Sequence, residues 1–550
     1  MTRNRVLLVA IDGVDWAGFV AEAAARRLPR LAGLAAQGTA LPLRPLPPFA
    51  GPASLATIAT GRPPEQHGFL RHTESWAGGW RGAGRESWGA VPIWQTAADA
   101  GLATASVGWP GTAPGDGWAG CHVDDAALWI DGVDHDHWAL PLGCAPADLR
   151  EDLRDARVHP SEIEAAAIAP FLSAPDDTKA TPVRFALAAA ATTQAAARLA
   201  LSRGWQLACV SISWLGDLRG FAGGERMLAA GWRFLDGMIG ALIDQAGDAA
   251  VVVVSPGWRG RVGLMVSAGH GISPTQPMPS VAATIDVAPS LLALLGLRDP
   301  MLPGRCLVSH GAATQLVDIP PRPAATPEAI DTVALHRVLE HGFPPPPGTP
   351  AGWQAEGLAL LGEALIGRDP AAAAALARAA VDTAPDNVAA LRALAASAIA
   401  RGEPADIAKI ADRLDTLMPG DPWAALARGS SLARSGAADI AAPFLRAAES
   451  AVDVEVLLRL GAAWLIAERP RDAARLFERV LAVAPGSPAA EHGLALVAAA
   501  ERDFVGAERG LRAVLSADPG HVEARRHLAD LLAQLGRRGE AAALGVERAG

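Results

Sequence analysis

Six apolar residues in a row, Val6 to Ile11, stop at Asp12-Gly13. A run this short that is apolar at every position, not at alternate ones, fits a strand covered on both faces, as in a parallel sheet. A chain holding such a strand needs helices on both sides of the sheet, and so an α/β layer architecture. The same run places Asp12 at a strand's carboxyl end, the edge where open α/β sheets bind ligands.

A second landmark is Gly51-Pro52-Ala53-Ser54-Leu55-Ala56-Thr57-Ile58-Ala59-Thr60-Gly61, followed by Pro64-Glu65-Gln66-His67-Gly68. Pro52 suits a first helical turn and Gly61 a helix end, so the segment reads as a helix whose start is suited to an anion. Val91-Pro92-Ile93-Trp94 leads into a helix through Ala97 to Ala100, ended by Gly101, then a strand to Val107 and a turn from Gly108 to Pro114. Further on come Gln206 to Gly216 with Asp217, a strand Val251 to Val254, and a helix within Ile285 to Gly296.

In this order and spacing the segments resemble the alkaline phosphatase superfamily, in its type I phosphodiesterase/nucleotide pyrophosphatase branch. The resemblance spans about residues 5 to 310 and implies an α/β, alkaline-phosphatase-like sandwich with a central, mostly parallel sheet. It also implies two metal ions, usually zinc, about 4 Å apart, clamping the attacking and leaving oxygens of a phosphoester. Each metal takes about three protein ligands, and a Thr or Ser hydroxyl between them is the nucleophile. Carried onto this chain, Asp12 and Asp217 each match one ligand. The other positions do not match: the family's Ser-Asp-His-Gly segment is Ser255-Pro256-Gly257-Trp258, a second-site His is Phe221, the distal His is Arg259, and the nucleophile falls on Gly51.

One carboxylate per site is too few donors to hold zinc against water. The expectation is a catalytically degraded phosphodiesterase-like domain with no metal and no cofactor. Asp12 and Asp217, left as neighbouring anions, call for a cation. Arg259, Arg261 and Arg219 are the candidates, since a guanidinium fork fits a carboxylate; alternatively both aspartates serve only turn capping and backbone hydrogen bonds. Ser54 or Thr57 is a weak substitute nucleophile without a metal or base to activate it. His67 reads as a packing or hydrogen-bonding residue and His270 as a loop residue. Asp134-His135-Asp136-His137 crowds metal-ligand types together, but Gly132 and Pro141 mark an exposed turn. The alternative function is an active metal-dependent phosphoester hydrolase with a rearranged site, zinc as cofactor, and a histidine brought to Asp12 or Asp217.

With 550 residues the chain has room for at least two domains. A net charge of -10, without long basic runs, argues against a nucleic-acid-binding surface. Cys121, Cys144, Cys209 and Cys306 lack paired spacing, which fits a reducing, cytoplasmic compartment or buried thiols. No apolar stretch reaches the ~18 residues of a membrane span, and the apolar run after Arg5 is too short for a signal peptide. Scarce Lys and Asn and the lack of Tyr reflect codon usage in a GC-rich genome. Eight of 16 tryptophans fall between Trp76 and Trp138, where they fill a core or form an aromatic wall over the site.

The expected layout is an alkaline-phosphatase-like domain over 1–310, a Pro-rich linker with one short helix over 311–350, and a repeat domain over 351–550. The helix expected in the linker runs from Pro327 to His341, and the run Pro344 to Pro347 stiffens the end of the linker. Pro385 and Pro419, and again Pro485 and Pro519, lie 34 residues apart, a period that resembles tetratricopeptide repeats. About six helix pairs fit at that period. In the last unit Ala524, Leu528, Ala529, Leu531, Leu532 and Ala533 supply packing faces and Gly536 ends the first helix. Such all-α solenoids present a concave surface, so the expected partner is a protein or peptide, and the chain acts as a binding or scaffold protein.

Overall fold

The computed structural model describes residues 5–46, 51–69, 73–76, 79–82, 88–112, 120–128, 143–172, 179–220, 225–258, 261–270, 272–274, 279, 281–309, 316–319, 355, 358–359, 362–363, 366, 370–451, 454–484, 486–517 and 521–544. The chain divides into two compact units, Met1–Thr349 and Pro350–Gly550. Most of 311–350, including the helix expected at Pro327 to His341, lies outside the described residues.

In the first unit nine strands form one sheet. They are β1 (Val6–Ile11), β2 (Thr39–Arg44), β3 (Thr104–Trp109), β4 (Cys121–Asp124), β5 (Cys144–Ala145), β6 (Leu207–Ile212), β7 (Ala250–Ser255), β8 (Gly263–Ala268) and β9 (Ala282–Ala283). Their order is β9-β2-β8-β7-β1-β6-β3-β4-β5. The block from β7 through β1, β6 and β3 to β4 is parallel, whereas β8 runs against both β7 and β2, and β5 against β4. The sheet is therefore mostly parallel, as expected.

β1 is buried at every residue because each face meets its own helix layer. Leu7, Val9 and Ile11 enter one core with α1 (Trp16–Ala24), α2 (Pro29–Gln37) and two long helices, Ala180–Leu201 and Glu225–Ala246. Val6, Leu8 and Ala10 enter the other with α3 (Gly51–Thr60), α4 (Ile93–Asp99) and the helix Val287–Leu294. Gly61 ends α3 at φ +66°, a conformation that costs glycine nothing. Near the last helix Asp286 is almost fully buried; it accepts hydrogen bonds from Ala283 N (2.9 Å) and Arg305 N (2.7 Å) and pairs with Arg305 Nη2 at 2.8 Å. No described helix is long and apolar enough to cross a membrane.

The second unit is helical throughout its described length. Helix pairs run 388–401 with 404–417, 422–434 with 438–448, 454–466 with 470–483, 488–500 with 504–517, and 522–534 with 538–543, preceded by Pro370–Thr383. Local chemistry sets each start. Asn387, Asp421, Ser487 and His521 stand two residues beyond the periodic prolines, and each side chain accepts a backbone N–H from the first turn of the helix it opens. Within its own pair and across to the next, Phe477 packs so closely on Gly461 and Gly493 that a β-carbon on either would stand 2.6 or 2.4 Å from its ring. Ala524, Leu528, Ala529, Leu531 and Leu532 are buried, and Gly536 takes φ +80° after the helix end.

Asp421 joins two pairs: it caps its own helix through Trp423 N at 2.8 Å and ion-pairs with Arg392 of the preceding pair. Asp421→Ala is expected to cost about 1–3 kcal/mol by urea unfolding, and Asp421→Asn, which keeps the cap, clearly less.

Candidate active site

β7, β1 and β6 are adjacent and parallel, so their carboxyl ends share one edge. That edge carries Asp12 after β1, the helix Trp214–Gly220 with Gly216-Asp217 after β6, and Pro256-Gly257 after β7. Gly51 joins them as the first residue of α3. Of the positions that the resemblance assigns to metals and nucleophile, the described ones, at 12, 51, 217, 256 and 257, thus share one edge.

Asp12 lies at the centre of this edge. Its Oδ1 accepts from Gly13 N at 2.8 Å. A β-carbon on Gly51 would stand 2.9 Å from Asp12 Oδ2, and one on Gly216 only 2.6 Å from the same oxygen. Gly13, at φ +85°, backs onto Gly216 N, where a β-carbon would come within 2.6 Å. The carboxylate is therefore held against two backbones, one of them the start of a ten-residue helix whose partial positive charge favours an anion.

Among the described residues the edge leaves no room for a ligand side chain at position 257. Gly257, where the resemblance would put a ligand His, takes φ +95°, and a β-carbon there would come within 1.9 Å of Arg261 O. Gly263 closes the same turn, its own β-carbon position falling 1.8 Å from Ser255 O. Ser255 fixes the turn from below: fully buried, it donates through Oγ to Val14 O at 2.7 Å and accepts from Gly257 N at 3.2 Å. No side chain fits at 257 unless this turn reopens. Among the described residues no three His, Cys, Asp or Glu side chains form a group able to hold a metal.

Of the three arginines expected to replace the cations, Arg261 forms no ion pair with a described carboxylate. Phe221 and Arg259, and the side chains of Asp217 and Arg219, lie outside the described residues, as does Asp134 to His137. His270 sits exposed in a loop after β8.

His67 is fully buried, and burial pushes its imidazole down to about 3. Its Nδ1 accepts from Phe69 N at 3.1 Å, so the ring proton sits on Nε2, which donates to Thr57 Oγ1 at 3.1 Å. Thr57 in turn donates to Ala53 O at 3.0 Å. The imidazole thus gives a proton to this hydroxyl and cannot take one, so Thr57 is not an activated nucleophile. Ser54, one turn earlier, is also buried.

Three of the eight clustered tryptophans form part of the core. Trp94 and Trp109 are buried with ring centroids 5.0 Å apart, Trp88 lies 6.3 Å from Trp94, and Trp109 Nε1 donates to Cys209 O at 3.0 Å. Trp76 and Trp80 belong to a small hairpin, and Trp118, Trp129 and Trp138 lie outside the described residues.

Sequence reading missed Gly216, Gly263 and the clamp made by Ser255. A glycine directly before Asp217, facing the Asp12-Gly13 turn on the neighbouring strand, was the available signal for the first. The other two depend on a turn between β7 and an antiparallel strand that carried no signal of its own.

This geometry has two measurable consequences. Gly257→His is expected to lower stability by about 2–4 kcal/mol, through positive φ and overpacking, without gaining zinc affinity, measured by denaturant unfolding and zinc titration. His67, neutral when folded, adds stability that is complete above pH 6.5, its ordinary value, and is lost as pH falls toward 3. His67→Gln should therefore flatten the fall in unfolding free energy between those two values.

A family model described as type I phosphodiesterase / nucleotide pyrophosphatase matches residues 6–289. A tetratricopeptide repeat model matches residues 498–544. No curated protein matches the chain. Among solved structures it is similar to the human IFIT1 dimer with PPP-AAAA at 14% identity and TM-score 0.31, over 40% of this chain and 55% of that one. It is also similar to TTC0263, a thermophilic repeat protein of Thermus thermophilus, at 20% identity and TM-score 0.29, over 32% of this chain and 99% of that one. MamA from Desulfovibrio magneticus RS-1 aligns at 19% identity and TM-score 0.23, over 29% and 90%. The chain spans about half the length of the IFIT1 chain. With the sheet edge and the matched residues 6–289 in place, the chain belongs to the type I phosphodiesterase/nucleotide pyrophosphatase family and carries tetratricopeptide repeats after that domain.

Proposed function

We propose that the phosphodiesterase-like domain is catalytically inert and that the chain acts as a binding or scaffold protein, its repeats holding a protein or peptide partner. The observation that carries this reading is at Gly257, where a ligand side chain would overlap Arg261 O. Loss of a ligand by substitution alone leaves room for its return; a turn closed on itself does not. Gly51 adds to this, since a nucleophilic side chain there would begin 2.9 Å from Asp12 Oδ2.

The partner-binding part of the reading rests on the repeats. The first helices of the first four pairs touch in succession and form a layer, as in repeat proteins that bind along one face. The net charge of -10 favours a protein partner over a polyanion. All four cysteines are free, three of them buried, which agrees with a reducing, cytoplasmic setting.

The test combines metal analysis with turnover. Protein incubated with zinc and dialysed should retain far less than one zinc per chain and leave phosphate mono- and diesters uncleaved. Stoichiometric zinc together with chelator-sensitive hydrolysis would establish the active hydrolase instead.

A further inference from the structure

A pocket of about 280 Å³ opens in the repeat unit between helices Pro370–Thr383, Val388–Arg401 and Pro404–Leu417. It is lined by Pro370–Thr383, by Pro404–Leu417 with Glu403 before it, and by the later turns of the first helix Val388–Arg401 between them. Its floor is aliphatic: Ala374, Leu394, Ala398 and Ile410.

One polar group lies in that floor. Ser397 is 2% exposed and its Oγ has no hydrogen-bond partner among the described residues. Other hydroxyls in this array turn back onto the carbonyl four residues earlier, as Thr383 does to Ala379 O at 2.7 Å, Thr416 to Asp412 O at 2.8 Å and Ser435 to Ser431 O at 2.9 Å. Ser397 and, one repeat later, Ser430 do not, and of the two only Ser397 lines this pocket; a buried hydroxyl left this way costs about 1–3 kcal/mol until a partner arrives.

The rim carries both signs of charge. Arg378 and Lys409 face the pocket from opposite helices, and neither joins an ion pair among the described residues. Glu403 is neutralised by Arg401, which leaves Asp406 as the uncommitted acid. Two cations and one carboxylate around an aliphatic floor match a molecule whose own opposite charges lie a few ångströms apart on an aliphatic body. A peptide segment in mid-chain has no such pair of charges.

We propose that this pocket binds a small aliphatic zwitterion, a free α-amino acid or a dipeptide. Its carboxylate lies between Arg378 and Lys409, its ammonium faces Asp406, its side chain covers Leu394 and Ile410, and Ser397 supplies the buried hydrogen bond.

Titration calorimetry on the full chain tests this with three probes: L-leucine, L-leucyl-L-leucine, and uncharged N-acetyl-leucinamide. At least one zwitterion should bind with Kd below about 1 mM, and the uncharged analogue about ten-fold more weakly or not at all. Ser397→Ala should weaken binding about five-fold and Lys409→Glu about ten-fold or more. Both changes should leave the circular dichroism spectrum as in the parent; Lys409→Glu, at an exposed position, should keep the melting midpoint near the parent's, and Ser397→Ala, which removes an unpaired buried hydroxyl, should melt at or above it. No heat with either zwitterion at about 10 mM, equal binding of the uncharged analogue, or unchanged affinity in both variants would overturn the assignment. The outcome is independent of whether the phosphodiesterase-like domain binds zinc.

Discussion

The contact of the Asp12 carboxylate with the backbones of Gly51 and Gly216 is the constraint around which this sheet edge is organised. It requires three chain segments to arrive at one point from far apart in sequence. Register makes that possible: β1 pairs with β6 from Val6↔Leu207 to Ile11↔Ile212 and with β7 from Val6↔Ala250 to Ala10↔Val254. A slip of one residue would exchange the two buried faces of β1 and also carry Asp12 off the glycines. The apolar packing that fixes the register therefore fixes the edge as well.

In the two-metal arrangement that the family implies, cations sit between carboxylates, helix start and substrate. Here backbone approaches carry the same edge. Asp12 rests at the start of α3, where the helix dipole favours it, and Ser255 ties the end of β7 to Val14. His67 and Thr57 satisfy one another below that helix start, with the imidazole proton already committed. These interactions stabilise the described part of the edge. They leave the fold of the family intact because its cores lie in the helix layers, away from the strand ends.

The repeat unit is built on different terms. Among the described residues, four of the helix pairs open on a side-chain cap, and small residues seat one helix on another, as Gly461 and Gly493 receive Phe477. Contacts of this kind are local in sequence, so the proline period located the helix starts to within two residues, at Asn387, Asp421, Ser487 and His521. The Ser397 pocket shows the limit of that reading, since nothing in the repeat pattern marks one small helical residue as buried and unpartnered.

The amino-acid sequence alone determined the elements with strong local signals: the doubly buried strand at Val6 to Ile11, the helix from Pro52 to Gly61, the helix before Gly296 and the 34-residue repeats. It also determined that few ligand-type residues remain at the positions the resemblance assigns. It did not mark the antiparallel strand β8, whose partners are β7 and β2, or the long helices Ala180–Leu201 and Glu225–Ala246. Only the tertiary structure decided that Gly51, Gly216 and Gly257 are close-packed positions and not merely vacant ones. The physical reason is range: periodicity and capping act over a few residues, whereas the space beside these glycines is set by chain that is distant in sequence, as Asp12 is from Gly51 and Gly216, or by a turn that folds back on itself.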